Sequence, residues 1–575
     1  MSRLNALWVV VLLLSLAGVL AAQQPEKETT LPPAVEKKSL DLLDSIAGRI
    51  STLHSPENRI TVTCAVADLL WSRDEKRARA LFANVMRDEA ALVSSVDLGD
   101  QQASENYSTI NNQRQEVVGR IARHDPDLAL EFLRATRFPA GEVPSYGANW
   151  ERNLELSLSR AIAAKDPERA LKLARESLAK GLSYDFVSLL MELEQKNKPA
   201  AQSLYESLVS RIQSEDLARN QEAANIATNL INSFQPPKAN EDEFRDLLET
   251  VIKAALSLTP NDPQTQQVAQ NYLGSLFSSM QLVEKYAPAR VRAVKDWSQS
   301  ITRTMDPNNQ LYSELNQTAQ EGTIDDILAL ATRFPEEMRN QVYQQAAWKA
   351  SNNGDVDRAR QLISDHITDP YQRRQMLQQL DNQLTWKAIN ENKLVEARSL
   401  LSRTTSPEQR FQLLMQIASQ LTSKNNKKEA LECLVDAREA VNAVPRGSSR
   451  MWQQLQLASA FEPLDLDQSF AIMQGIVAEL NQLVMAAAVM DGFDNRYLRR
   501  GEWMLNGQNN LTNIVNNSRL VISQLARLDF DRAQTLSDQL ERPEIRLMTQ
   551  LEMVQSLLND NTVSLLMVHQ RTFIE

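Results

Sequence analysis

Residues 348–363 read WKASNNGDVDRARQLI and residues 386–401 read WKAINENKLVEARSLL, an offset of 38 positions. Trp348, Lys349, Ala350, Asn352, Ala359, Arg360 and Leu362 return unchanged as Trp386, Lys387, Ala388, Asn390, Ala397, Arg398 and Leu400. Val356 and Ile363 return as Leu394 and Leu401, so apolar character holds there too. Each copy has an apolar-periodic run, a polar break and a second periodic run. A unit of about 38 residues built this way is a helical hairpin. It cannot bury its apolar face alone and must stack on its neighbours. The stretch therefore predicts an all-α fold, an α-solenoid or superhelix of helical hairpins with a period of about 35–41 residues.

Fainter copies extend toward the N-terminus. Residues 121–134 read IARHDPDLALEFLR, residues 162–175 read IAAKDPERALKLAR, and residues 71–82 read WSRDEKRARALF. Asp125-Pro126 and Asp166-Pro167 are expected helix starts. An Asp carboxylate accepts the free N–H groups of a first turn, and Pro lacks an N–H that would go unpaired there. One register carries an alanine in every copy: Ala78, Ala129, Ala170, Ala359, Ala397, Ala430 and Ala533. So small a side chain lets two helices approach to the short end of the ~8–10 Å range. Pro335, Pro370, Pro407 and Pro543 mark the opposite helix, and Ser406-Pro407-Glu408-Gln409 has the spacing of a capping box.

The boundaries follow from breaks in this pattern. Residues 1–22 have the character of a signal peptide: Arg3 at the start, an apolar run from Leu7 to Leu20, then small residues before Gln23. The mature chain is expected to begin between Ala22 and Gln24 and to lie outside the cytoplasm, periplasmic or secreted. Residues 23–37 read as a flexible leader. Residues 38–305 and 306–575 read as two helical-repeat segments, joined at Asp306-Pro307. Within the second, residues 491–517, DGFDNRYLRRGEWMLNGQNNLTNIVNN, interrupt the repeat. So long an excursion between helices is more often functional or disordered than a plain connector.

The chain has 575 residues, 43% hydrophobic and 23% charged, with only 15 glycines. That supports a large helical core. The net charge of −11 comes without a clustered basic stripe, so no nucleic-acid partner is expected. After residue 22 no uninterrupted apolar run reaches the ~18 residues of a membrane span, and none is expected. The two cysteines, Cys64 and Cys433, lie in apolar helical runs and read as buried thiols.

Motifs with chemistry are sparse. His54, His124, His366 and His569 are scattered, and neither HExxH nor a Cys–His zinc spacing occurs. Phosphate-cradling glycine loops and a GxSxG elbow are absent as well. No catalytic residue, metal ligand or cofactor site is assigned. The one surface-like constellation is Arg496, Tyr497, Arg499, Arg500 and Trp503, residue types that dominate binding hot spots. These five are the candidate partner-binding residues. The competing reading has Tyr497 and Trp503 tucking the loop against the superhelix. Tyr146 and Trp150 form a weaker second constellation.

The hairpin period and the AR/AL-type second helices resemble the tetratricopeptide-like α-solenoid superfamily. They are also similar to exported bacterial helical-repeat proteins. The resemblance is most specific at residues 348–401, although Lys349-Ala350-Ser351-Asn352 follows Trp348 where that pattern has Leu-Gly. It implies an exported, non-catalytic scaffold or binding protein with a protein or peptide partner. The alternative is an (α/α)-toroid polysaccharide lyase or glycoside hydrolase, which requires a cleft with convergent acids.

Overall fold

The computed structural model describes residues 31–558, apart from 96–102, 139–146, 164, 259–265, 305–306, 336–337, 392, 402–403, 405, 494–495 and 508. Residues 1–22, read above as a signal peptide, lie outside the described residues, as do Asp306, Tyr146 and the side chain of Trp150. The protein is about 81% helical, with 27 α-helices and one two-stranded hairpin among the described residues. The all-α helical-repeat fold read from the period of 38 stands.

The hairpin unit is clearest in the quoted stretch. One helix runs Arg339–Asn352 and its mate runs Val356–His366. The turn between them passes through Gly354 at φ 89°, a left-handed conformation that L side chains resist. Asp355 then caps the second helix, accepting the N–H of Arg358 at 3.0 Å. The next units are Pro370–Asn390 with Leu394–Leu400, then Pro407–Ser423 with Lys427–Ala443.

The repeated alanines have one structural meaning. Each donates its N–H to the carbonyl of the residue capping its helix: Asp74, Asp125, Asp166, Asp355, Lys393, Asn426 and Asp529 in turn. Ala78, Ala129, Ala170, Ala359, Ala397, Ala430 and Ala533 all show 0% exposure. Each belongs to one of the apolar cores between helices. Larger side chains there would hold the helices apart.

The repeated charges join one unit to the next. Arg169 pairs with Asp127, Arg358 with Asp325 at 3.1 Å, and Arg532 with Asp467 at 2.7 Å. In each case the arginine is the third residue of a helix and the aspartate the second residue of another helix. Lys349 Nζ donates to the carbonyl of Ala319 at 2.7 Å, near the C-terminal end of the helix Pro307–Glu321. Lys387 repeats this toward Asn352, at 3.5 Å. A cation at that end satisfies free carbonyls and meets the negative pole of the helix.

The ends of the described chain meet. Helix Pro33–Arg49 packs on helix Pro543–Leu558, where Arg49 Nη2 donates to Gln550 Oε1 at 2.7 Å. One apolar core combines residues 42–78 with residues 451–557. Three others, at 60–297, 315–380 and 388–461, serve the remaining hairpins.

Two boundaries and one cap differ from the sequence reading. The first helix begins at Pro33, inside the expected leader of 23–37, because Pro33 starts a helix that buries Leu42, Leu43 and Ile46. The excursion expected over 491–517 ends earlier, at a helix running Asn510–Leu528. Its asparagines favour turns in isolation, but Asn509 caps it and Ile514 and Val515 are buried, so packing overrides propensity. At Ser406 only half of the capping box forms. Ser406 Oγ accepts the N–H of Gln409 at 3.3 Å, while the Gln409 side chain accepts from Gln378 at 2.9 Å.

Candidate functional site

The interruption after Met490 is a small hairpin bound into the junction of the two ends. Leu498–Arg499 pairs antiparallel with Glu502–Trp503. The turn residues Arg500 and Gly501 have φ of 53° and 81°, the positive values a two-residue turn of this kind needs. Asp491 fixes the entry: its Oδ1 accepts the N–H groups of Tyr497 and Leu498 at 2.5 and 2.9 Å.

The hairpin then ties the N-terminal helices to the C-terminal ones. Glu502 accepts the N–H groups of His54 and Ser55 at 2.6 and 2.9 Å. Asn58 Nδ2 donates to the carbonyl of Trp503 at 2.8 Å, and Asn58 Oδ1 accepts the N–H of Leu505 at 3.2 Å. The N–H of Trp503 goes to Glu544 Oε1 at 2.7 Å, and Arg499 pairs with Glu57.

This geometry sorts the five sequence candidates. Trp503 is fully buried, with the Tyr497 ring stacked on it at 5.6 Å. A partner could not touch Trp503 without opening the junction, so its place in the candidate site is corrected. It is an apolar plug between the chain ends, held by burial and by both of its backbone hydrogen bonds. Tyr497 and Arg499 are half-buried and engaged. Arg496 and Arg500 are exposed.

Shortly before these two arginines in the chain stand exposed apolar side chains that sequence reading missed. Met485, Val489 and Met490, at the end of helix Leu466–Met490, are 58%, 79% and 49% exposed, and Phe493 in the following turn is 79% exposed. Scattered apolar residues on a surface are ordinary; four large ones within nine positions of the chain mark a candidate contact area. The signal in the sequence was the apolar run near Met490. It was not informative alone, because helix 466–490 is also a core helix that buries Phe470, Met473, Ile476, Val477 and Leu480. By length and composition this helix is apolar enough to cross a membrane. Core helices pass the same criterion, and its inward face is packed against the C-terminal helices.

The acids near the junction are occupied or sealed. Glu502 and Glu544 serve the backbone bonds above. Burial raises the pKa of the Glu57 carboxyl, but its own backbone N–H, Arg499 and Ser55 outweigh that and hold it below the ordinary value. Glu89 is 0% exposed and both its oxygens lack a partner. Burial pushes it up to about 8, opposed by Arg114 and assisted by Glu57 and Asp88. A carboxyl so enclosed meets no substrate. Asp68 lies 2.7 Å from His124 Nε2, whose ring stacks on Trp71 at 4.9 Å. Burial raises the pKa of that carboxyl, but His124, Arg123 and Arg120 overcome it and hold it low. Both cysteines are free and buried, and burial pushes the Cys433 thiol up to about 11. Such thiols are unreactive. Two cavities among the described residues, at 480–545 and 109–516, each have a single acid in the lining, Glu541 and Glu116.

No family model matches the chain, and no curated protein does. Solved structures do align with it. Ton1535 from Thermococcus onnurineus NA1 covers 73% of this chain and 99% of its own at 12% identity, with a TM-score of 0.18. A circular tandem repeat protein covers 91% and 97% at 13% identity, with a TM-score of 0.14. The APC/C hetero-tetramer Cut9-Hcn1 covers 87% and 94% at 12% identity, with a TM-score of 0.17. At these scores the fold assignment rests on the helices themselves.

Proposed function

We propose that this chain is an exported, non-catalytic helical-repeat scaffold that binds a protein or peptide through the surface of Met485, Val489, Met490 and Phe493, rimmed by Arg496 and Arg500. The observation that carries the reading is that four large apolar side chains stand in solvent, with two exposed cations following closely in the chain. Apolar contact supplies affinity and the arginines select an acidic rim on the partner. Tyr497 and Arg499 belong to the hairpin region that follows this surface, and buried Trp503 anchors that hairpin.

The experiment compares capture by the wild-type protein and by Val489→Glu/Phe493→Glu. Material from the extracytoplasmic fraction of the source cells is used, with quantitative mass spectrometry as readout. Partners present on the wild type and lost on the variant, at unchanged melting temperature, are expected. Identical capture by both proteins would overturn the proposal. Export is supported by the character of residues 1–22. N-terminal sequencing of the native protein tests it: a start between Ala22 and Gln24 is expected, and an intact Met1 in a membrane fraction opposes it.

A further inference from the structure

A cleft of about 260 Å³ opens between residues 109–116 and residues 506–516. That is a little below the ~300–1,000 Å³ of sites for drug-sized ligands, a size that suits one small ring. Its walls come from opposite ends of the sequence. Thr109, Asn112 and Glu116 stand three and four positions apart on helix Ala103–His124 and share one face of it. Asn513 and Asn516 stand three apart on helix Asn510–Leu528.

One hydroxyl fixes the two walls. Thr61 Oγ1 accepts from Gln113 Nε2 at 2.9 Å and from Asn506 Nδ2 at 3.0 Å, and both donors belong to lining residues. A site shaped in advance loses less freedom when a ligand enters. The amides of Asn112 and Asn513, by contrast, are exposed and form no hydrogen bond with the described residues. One stands on each wall.

The lining is polar apart from Gly507, and Glu116 is the one charged group in it among the described residues. Glu116 already accepts from Arg120 Nη2 at 2.9 Å. An apolar ligand finds no wall to cover, and an anion finds no cation. A side-chain amide carries two donors and an acceptor side by side. Adjacent hydroxyls on a ring each donate and accept, so they meet that pattern with two bonds at once. Free amides on both walls of a polar cleft therefore match a polyhydroxylated, uncharged ring.

We propose that this cleft is a binding site for a neutral sugar, held by the amides of Asn112 and Asn513. The inference is independent of the protein-binding surface: none of Met485, Val489, Met490, Phe493, Arg496 and Arg500 lines the cleft. With no aromatic ring in the lining to stack on, affinity rests on hydrogen bonds exchanged with water and is millimolar.

Saturation-transfer NMR and calorimetric titration of the intact protein test it, with glucose, galactose and N-acetylglucosamine as probes and cyclohexanol as a ring with a single hydroxyl. Saturable one-site binding of at least one sugar, and none of cyclohexanol, is expected. Asn112→Ala and Asn513→Ala alter exposed side chains, so the melting temperature should hold while each weakens that sugar at least fivefold. Val489→Glu/Phe493→Glu should leave sugar binding unchanged, which separates this site from the protein-binding surface. No saturable binding of any of the three sugars would overturn the proposal. So would cyclohexanol binding as tightly as the sugar, or a sugar affinity indifferent to both asparagine substitutions.

Discussion

Glu502 accepts the backbone N–H groups of His54 and Ser55, at 2.6 and 2.9 Å, across a sequence separation of 448 and 447 residues. One carboxylate thus joins the start of the helical run to its end. Asn58 adds a third donor at 3.3 Å. Glu502→Ala leaves these donors unpaired in a buried place. A loss of about 3 kcal/mol or more is expected from hydrogen bonds to a charged group. Urea unfolding of the two proteins measures it. A change below about 0.5 kcal/mol would mean that the junction does not hold the ends together.

Trp503 and the two exposed arginines should behave in opposite ways. Trp503→Ala empties a fully buried site and should destabilise by about 3–5 kcal/mol. Arg496→Ala and Arg500→Ala remove exposed side chains and should stay within about ±0.5 kcal/mol. Thermal melts of the three variants check the contrast. A tolerated Trp503→Ala would contradict its role as a plug.

Ala359 lies at the register where stacked helices meet, at 0% exposure. Leucine there forces the helices apart, with an expected loss of about 1–3 kcal/mol. Ala→Leu at an exposed helix position supplies the control, since both residues favour helix. Equal stability of the two variants would remove the packing explanation for the repeated alanine.

Asp125 caps helix Pro126–Ala135, accepting the N–H groups of Asp127 and Leu128 at 2.9 and 3.0 Å. Burial raises its pKa, but these bonds and Arg79 outweigh that and hold it low. Asp125→Ala should lower stability by about 0.5–2 kcal/mol. The cap contributes above the ordinary carboxylate pKa and fades as pH falls through the lowered folded value. The gap between wild type and variant, read by chemical unfolding, should therefore close in acid.

Glu89 has the opposite sign. Burial raises its pKa to about 8, so between an unfolded value of 4.5 and about 8 the folded chain holds the extra proton. Its contribution is complete below the unfolded value and is lost as pH rises toward the folded one. The expected loss is ~1.4 kcal/mol per pH unit in that window. Glu89→Gln cannot ionise and should outlast the wild type at pH ~8, while differing little near pH ~5. Parallel unfolding midpoints across this range would refute the assignment.

Local chemistry made the architecture legible in the chain itself. Period, caps and small residues act over one hairpin, so Trp348 to Leu401 contain the whole unit, and Asp355, Gly354 and Ala359 do locally what their types suggest. The signals fail where contact is distant. Nothing in the neighbourhood of Glu502 indicates that it meets Ser55, and an Arg/Tyr/Trp cluster reads alike whether it faces solvent or plugs a junction. Tertiary packing decided that Trp503 is buried and that Met485, Val489 and Phe493 are left in water. Periodicity records which face of a helix is apolar. It does not record which other helix covers that face, and contacts between opposite ends of a chain leave no period to read.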